Sequence, residues 1–253
     1  MINEILYQMI FKRKSFHSFK CETFPLTEQE LDDIYTFFNS LTPLIENIKT
    51  DIKIIPAKDS GCKRGNEYTI MFYSEIKDNY LTNIGYLGQI LDLYLVSQNI
   101  GTLWYGLGRT REKKYNGLKF VIMMGISKVN PEEFRKDMFK SKRKPLEEIW
   151  LYDYLPISNI VRFAPSACNS QPWTVENIDN CLLIYRNHKN QRVGLMLPKI
   201  SFYFNRIDMG IFLAFVEICL KYENITYEKE IFIDEENVDK VLLARYYLKT
   251  KEV

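Results

Sequence analysis

Two short stretches carry most of the side chains able to hold a ligand. The first is Ala164-Pro165-Ser166-Ala167-Cys168-Asn169-Ser170-Gln171-Pro172-Trp173, between an apolar helix-like run (Ile157 to Phe163) and a strand-like run (Trp173 to Ile178). Its small residues let backbone approach a flat ligand closely, its prolines hold the loop rigid, and Ser166, Asn169 and Gln171 offer donors and acceptors. Such a loop can cradle a planar heterocycle. It can equally be a tight connection whose polar groups satisfy their own backbone, and on chemistry alone that reading is favoured. The second stretch, Lys12-Arg13-Lys14-Ser15-Phe16-His17-Ser18-Phe19, sets three cations and two hydroxyls at a helix end, with Phe16 and Phe19 as anchors. Alone, it reads as solvated surface.

Both stretches match one family. Ala-Pro-Ser-Ala-x-Asn-x-Gln-Pro-Trp resembles the signature of the FMN-dependent nitroreductases, and Arg-x-Ser-x-(basic)-x-Phe, from Arg13 to Phe19, resembles the N-terminal motif with which they grip the FMN phosphate. The resemblance implies that Arg13, Lys14, Ser15 and His17 bind FMN from one side and Pro165, Ser166, Ala167 and Asn169 from the other. It implies further that Tyr105, Gly106 and Leu107, within the glycine-rich segment Gly101 to Gly108, face the flavin near N5 and O4. Arg143, with Lys142, stands just before Lys144-Pro145-Leu146-Glu147-Glu148, where the family often reaches the phosphate with a basic residue. His17 departs from the motif, which commonly has Arg or Lys there; a neutral imidazole gives up a fixed charge near the ribityl chain or pyrimidine edge.

Composition narrows the alternatives. With 253 residues, 46% of them hydrophobic, the chain can bury a large core as one large domain or two small ones. A net charge of +2 argues against nucleic acid as main partner and leaves phosphate-bearing small ligands open. Cys21, Cys62, Cys168, Cys181 and Cys219 form no C-x-x-C pair, and the histidines are His17 and His188. This argues against a metal site or disulfide framework and fits a reducing cytoplasm. The basic cluster follows a short apolar segment, the reverse of a signal peptide, and the low-charge run Leu93 to Gly108 contains Ser97, Gln98 and Asn99, so no membrane span is expected.

The elements that must position these motifs read as follows. Ile2, Ile5, Leu6, Met9 and Ile10 line one side of a helix over 2–11. Thr27 and Glu30 form a capping box, with Leu26 stapling onto Leu31, for a helix to about Phe38. Strands follow at 52–57 and 68–73. Asp78 is the expected cap of a long helix, apolar all round and closed by Gly101, which leads into a glycine-rich loop and a strand at 118–126. Residues 131–144, with six cations from Arg135 to Lys144, read as a solvated linker. Strands at 173–178, 181–186 and 241–248 and a core helix over 202–222 complete the second half.

The second half repeats the order of the first at an offset of roughly 110 to 125 residues, which suggests an internal duplication. The Arg13 motif occurs only in the first half and the Pro165 motif only in the second; Asn39-Ser40-Leu41-Thr42-Pro43-Leu44 does not match it. The chain thus resembles the single-chain TM-type nitroreductases, a fused pseudo-dimer of halves 1–130 and 145–253 joined by 131–144. The implied fold is α+β and nitroreductase-like: a mixed, mostly antiparallel sheet covered by helices, with two long apolar helices packed at the centre. One FMN per chain is expected where the halves meet, with the vacated twin site filled from around Thr42 to Ile45. The implied activity is an FMN-dependent NAD(P)H oxidoreductase acting on nitroaromatic, quinone or similar electron-poor small molecules. Catalytic side chains are not required, and a monomer suffices, though a homodimer is compatible. The alternative is a non-enzymatic FMN-storage or sensing protein whose flavin is covered by Trp104, Tyr105 or Phe204.

Overall fold

The two longest helices have apolar residues on every side, so neither can lie on a surface. In the computed structural model, which describes residues 2–20, 25–187, 197–235 and 238–249, they pack against each other at the centre. Cys21 and His188 lie outside these residues. Chain order is α1 (Ile2–Lys12), α2 (Glu28–Ser40), β1 (Thr50–Pro56), β2 (Tyr68–Ser74), α3 (Tyr80–Ser97), β3 (Ile100–Tyr105), β4 (Lys114–Tyr115) and β5 (Leu118–Lys128). There follow α4 (Leu146–Ile149), β6 (Trp150–Tyr152), α5 (Ser158–Val161), β7 (Trp173–Ile178), β8 (Cys181–Asn187), α6 (Pro198–Tyr222), β9 (Thr226–Ile231) and β10 (Lys240–Lys249).

The strands form two sheets where one was expected. The first runs β1-β2-β5-β3, with β4 on β5; the second runs β6-β7-β8-β10-β9. Every pairing is antiparallel except that of β6 with β7. A pair of helices buried on all sides needs cover on two flanks, which one sheet cannot give: α3 lies on β2 and β3, and α6 on β8. The four-strand order β1-β2-β5-β3 has its counterpart in β7-β8-β10-β9.

The central helices cross at two glycines. A β-carbon on Gly85 would collide with the Ile207 carbonyl, and one on Gly210 with the Thr82 carbonyl, so each helix presents a glycine to the other's backbone. On α2 the capping box forms as expected: the Glu30 amide donates to Thr27 Oγ1 at 3.2 Å and the Thr27 amide to Glu30 Oε2 at 2.9 Å.

Several boundaries differ from expectation for identifiable reasons. Asn79, not Asp78, is the N-cap of α3; its φ is 63°, and its side chain bridges outward, donating to Phe232 O and accepting from the Asp234 amide. The helix ends at Ser97. Gly101 lies inside β3, where a side chain would press on Phe16 and Val129, so the glycine reflects close packing, not a helix stop. Residues 131–144 are not a solvated linker: Phe134 and Met138 are buried, and the Arg135 amide donates to Lys12 O at 2.9 Å. The edge strand β9 went unread because it is largely exposed and mixes charges with its β-formers. Helix α6 starts four residues early, at Pro198, a residue pre-set for a first helical turn. Among the described residues no helix is long and apolar enough to cross a membrane.

At Gly210 the obstacle to a side chain is backbone of a rigid helix, which cannot rotate away. Gly210→Ala is therefore expected to lower stability by about 3 kcal/mol or more, measured by urea unfolding; an unchanged midpoint would contradict the close crossing.

Candidate functional site

Helix α1 delivers Arg13 into the interior, where it is 4% exposed. Its Nε donates to Asp92 Oδ2 at 2.9 Å, and Asp92 Oδ1 accepts from Thr102 Oγ1 at 2.5 Å. Asp92 comes from α3 and Thr102 from β3. The segment after Arg13 is stitched to the same strand: Ser15 forms a bridge with Thr102, and the Phe16 amide donates to Thr102 O at 3.0 Å. One edge of the guanidinium is thus held, while Nη2 is buried without a partner among the described residues.

Arg143, within reach of this cation's charge, is bonded to the Pro165 loop. Its Nη1 donates to Asn169 Oδ1 at 3.0 Å and to Lys142 O, and its Nη2 to Phe163 O at 3.0 Å, while Nε is buried with no partner among the described residues. Burial, and then the like charges of Arg135, Arg13 and Arg162, push the Arg143 pKa down to about 10. Arg135 is lowered by burial and by Arg13. Three guanidinium groups gathered with two unsatisfied buried donors are unfavourable alone and suited to an anion of two or more oxygens.

The loop itself is tightly wound. Cys168, Asn169 and Gln171 take left-handed φ values of 49°, 55° and 47°, which non-glycine residues hold only when their surroundings compel it. The compelling bonds are visible: the Gln171 amide donates to Ser166 Oγ, the Lys144 amide to Gln171 Oε1, and Lys144 Nζ to Gln171 O. From α6, Asp208 accepts from the Ala167 amide at 3.0 Å and from Ser170 Oγ at 3.3 Å. Burial raises the Asp208 pKa to about 7, against the pull of those two bonds.

One turn before Asp208, Phe204 faces the strand-end segment. A β-carbon on Gly106 would meet the Phe204 ring at 2.5 Å, so α6 brings Tyr105, Gly106 and Leu107 towards the Pro165 loop. Leu107 is 69% exposed. Tyr105 lies under Arg64, whose guanidinium is 5.6 Å from the ring. Trp104 points the other way, stacked on Phe72 and against Gly88, so it serves the core and not a cover.

Of the residues expected from sequence, Arg143 bonds Asn169, Arg13 lies near enough for its charge to act on Arg143, and Pro165, Ser166 and Ala167 share the loop with Asn169. Lys14 sets its ammonium 4.3 Å from the Phe16 ring centroid, and His17 is exposed. Sequence reasoning missed Asp92, Thr102, Arg135, Asp208 and Arg64. Asp92 left a trace, since it is the one charge in the α3 sequence, YLTNIGYLGQILDLYLVS; a lone carboxylate in an apolar helix has a buried partner.

Residues 5–219 match the model of the family described as putative TM nitroreductase. The chain belongs to this family. Among solved structures, this nitroreductase-family chain shares its fold with a putative nitroreductase from Thermotoga maritima MSB8, at 20% identity and a TM-score of 0.61, covering 96% of this chain and 93% of that one. A putative nitroreductase in complex with FMN from Desulfovibrio desulfuricans is 16% identical at a TM-score of 0.45, covering 60% of this chain and 98% of that one. A nitroreductase with bound FMN from Desulfitobacterium hafniense is 15% identical at 0.41, with coverage of 56% and 98%. No curated protein matches the chain.

Asp208 gives the site a pH signature. Its folded pKa lies above the unfolded value, so its stabilising contribution is complete below about pH 4 and is lost as pH rises towards and through 7. Asp208→Asn keeps the acceptor for the Ala167 amide and removes the charge, as Asn83 does on α3, where its Oδ1 accepts from the Ile45 amide at 3.0 Å. The variant is expected to abolish the decline between pH 4 and 7 and to be more stable than the parent at pH 8, by up to about 4 kcal/mol, in denaturant melts across pH. A parallel pH dependence in both proteins would contradict the buried carboxylate's role.

Proposed function

We propose that this chain is an FMN-dependent oxidoreductase that passes electrons from NAD(P)H to nitroaromatic, quinone or similar electron-poor acceptors. The observation that carries the reading is a pair of buried donors without partners among the described residues, Arg13 Nη2 and Arg143 Nε, on cations near enough to lower the Arg143 pKa, with Arg143 bonded to Asn169 of the Pro165 loop. Arg13, Arg143 and Ser15 would hold the FMN phosphate. Pro165, Ser166, Ala167 and Asn169 would approach the ring from the second half, with Lys14 and His17 beside the ribityl chain or pyrimidine edge. Tyr105, Gly106 and Leu107 would line its other edge. FMN, when bound, supplies the hydride chemistry at N5. The protein's share is to hold, orient and electrostatically support the cofactor, and no side chain is required as a nucleophile.

One FMN per chain, in a fused pseudo-dimer of halves 1–130 and 145–253 with 131–144 as connector, is part of the same proposal. It is supported by contacts that recur in reciprocal form at nearly the same sequence separation: Gly85 on Ile207 with Gly210 on Thr82, and Asn83 holding Ile45 with Asp208 holding Ala167. The shared strand order of the two sheets adds to it. In the Thr42 to Ile45 segment, Leu44 is buried and the Ile45 amide donates to Asn83 Oδ1 at 3.0 Å.

Phe204 over Gly106 is the observation that favours the storage or sensing alternative, since it covers part of the strand-end segment. Mixing holoprotein with NADH or NADPH without oxygen separates the two: flavin bleaching within seconds is expected, and a flavin oxidised for hours would favour storage. Arg13→Ala is expected to weaken FMN binding by about ten- to a hundredfold and leave riboflavin nearly unchanged. Equal losses for both flavins would assign Arg13 another role. Saturation near two flavins per chain would overturn the pseudo-dimer.

A further inference from the structure

Asp92 on α3 and Glu217 on α6 are deeply buried carboxylates at corresponding positions, and the two have different partners. Glu217 on α6 accepts from the hydroxyls of Tyr86, Tyr227 and Tyr246 at 3.0, 2.9 and 3.0 Å and from Lys229 at 2.7 Å. Its partners saturate it, and Lys229 carries the cluster to the surface. Asp92 on α3 instead holds Arg13 through Nε and is itself held by Thr102. The Asp92 carboxylate is 0% exposed, so its one anchoring hydroxyl and one guanidinium edge define its orientation.

From this asymmetry we infer that Asp92, fixed by Thr102, is the positioning residue of the anion site: it clamps the Nε edge of Arg13 so that Nη2 is presented towards the Arg135 and Arg143 cations. The inference rests on the reading that this site takes the phosphate of FMN. It makes a prediction opposite to that of charge alone. Asp92 is an anion beside an anion site, and if Coulomb energy decided the matter, neutralising it would strengthen phosphate binding. If orientation decides it, neutralising Asp92 weakens the clamp, Arg13 is free to turn, and phosphate binding falls even though the site has become more positive.

The test compares the ratio of riboflavin to FMN dissociation constants in the full-length protein and in two variants, Asp92→Asn and Thr102→Val. The second leaves both charges in place and removes only the hydroxyl that orients Asp92, so it decides the matter if Asp92→Asn does not fold. The ratio is expected to fall about tenfold in Asp92→Asn and by a smaller factor in Thr102→Val, with riboflavin binding nearly constant. A ratio that rises in Asp92→Asn, or stays constant while both affinities fall together, would overturn the inference: the first outcome assigns Asp92 a purely coulombic effect, the second a purely structural one. A parent protein that binds neither flavin would overturn the FMN reading separately. Positioning is then decided with inorganic phosphate, which is expected to raise the thermal midpoint of the parent and not of Asp92→Asn. Equal shifts, or none in the parent, would overturn it.

Discussion

The close crossing of α3 and α6 is the constraint on which the rest of the structure depends. Gly85 and Gly210 let two helix backbones meet without intervening side chains, so residues one or two turns away on either helix are held at fixed separation across the interface. The site residues project from those turns. Asp92 lies two turns beyond Gly85 and grips Arg13; Asp208 and Phe204 lie just before Gly210 and fix the Pro165 loop and the Gly106 segment. A displacement at the crossing would move both walls of the site.

Charge is the second organising term. The interior admits cations only where something offsets them, and Arg13 has one carboxylate for a guanidinium that still carries a buried free donor. Arg143 has backbone and amide acceptors but no carboxylate partner among the described residues, and burial together with the neighbouring cations lowers its pKa. Elsewhere buried ions find partners: Glu217 accepts from three tyrosines, Tyr86 of α3 among them, and from Lys229, and Arg186 pairs with Asp234.

Much of this was legible in the sequence where local rules act alone. The capping box of α2, the apolar surround of α3 and α6, and the strands β2, β7 and β8 follow from periodicity and side-chain chemistry. What was not legible depends on partners far away in the chain. Gly101 looks like a helix stop until Phe16 and Val129 are seen against it. The basic run from Arg135 to Lys144 reads as solvated until Phe134 and Met138 are found buried beneath it. Two sheets could not be told from one, because hydrophobic alternation reports a strand's faces and not its neighbours. At the site, the motif residues were found by resemblance, while Asp92, Thr102, Arg135 and Asp208 matter through contacts across 10 to 122 positions, which spacing does not display.

The segment 131–144 is packed into the structure. Linkers between domains usually run through solvent with few contacts and can be cut or lengthened without harm, but residues 131–144 contribute Arg135 and Arg143 and pair with the end of α1 through the Arg135 amide. An anion seated among these arginines would touch α1, the connector and the Pro165 loop at once, acting as a crosslink between chain segments far apart in sequence. Its binding energy would then add to the cohesion of the whole chain. A break in this chain would be better tolerated in the tight turn at Asp179-Asn180, which carries no such duty, than at the place where the halves join.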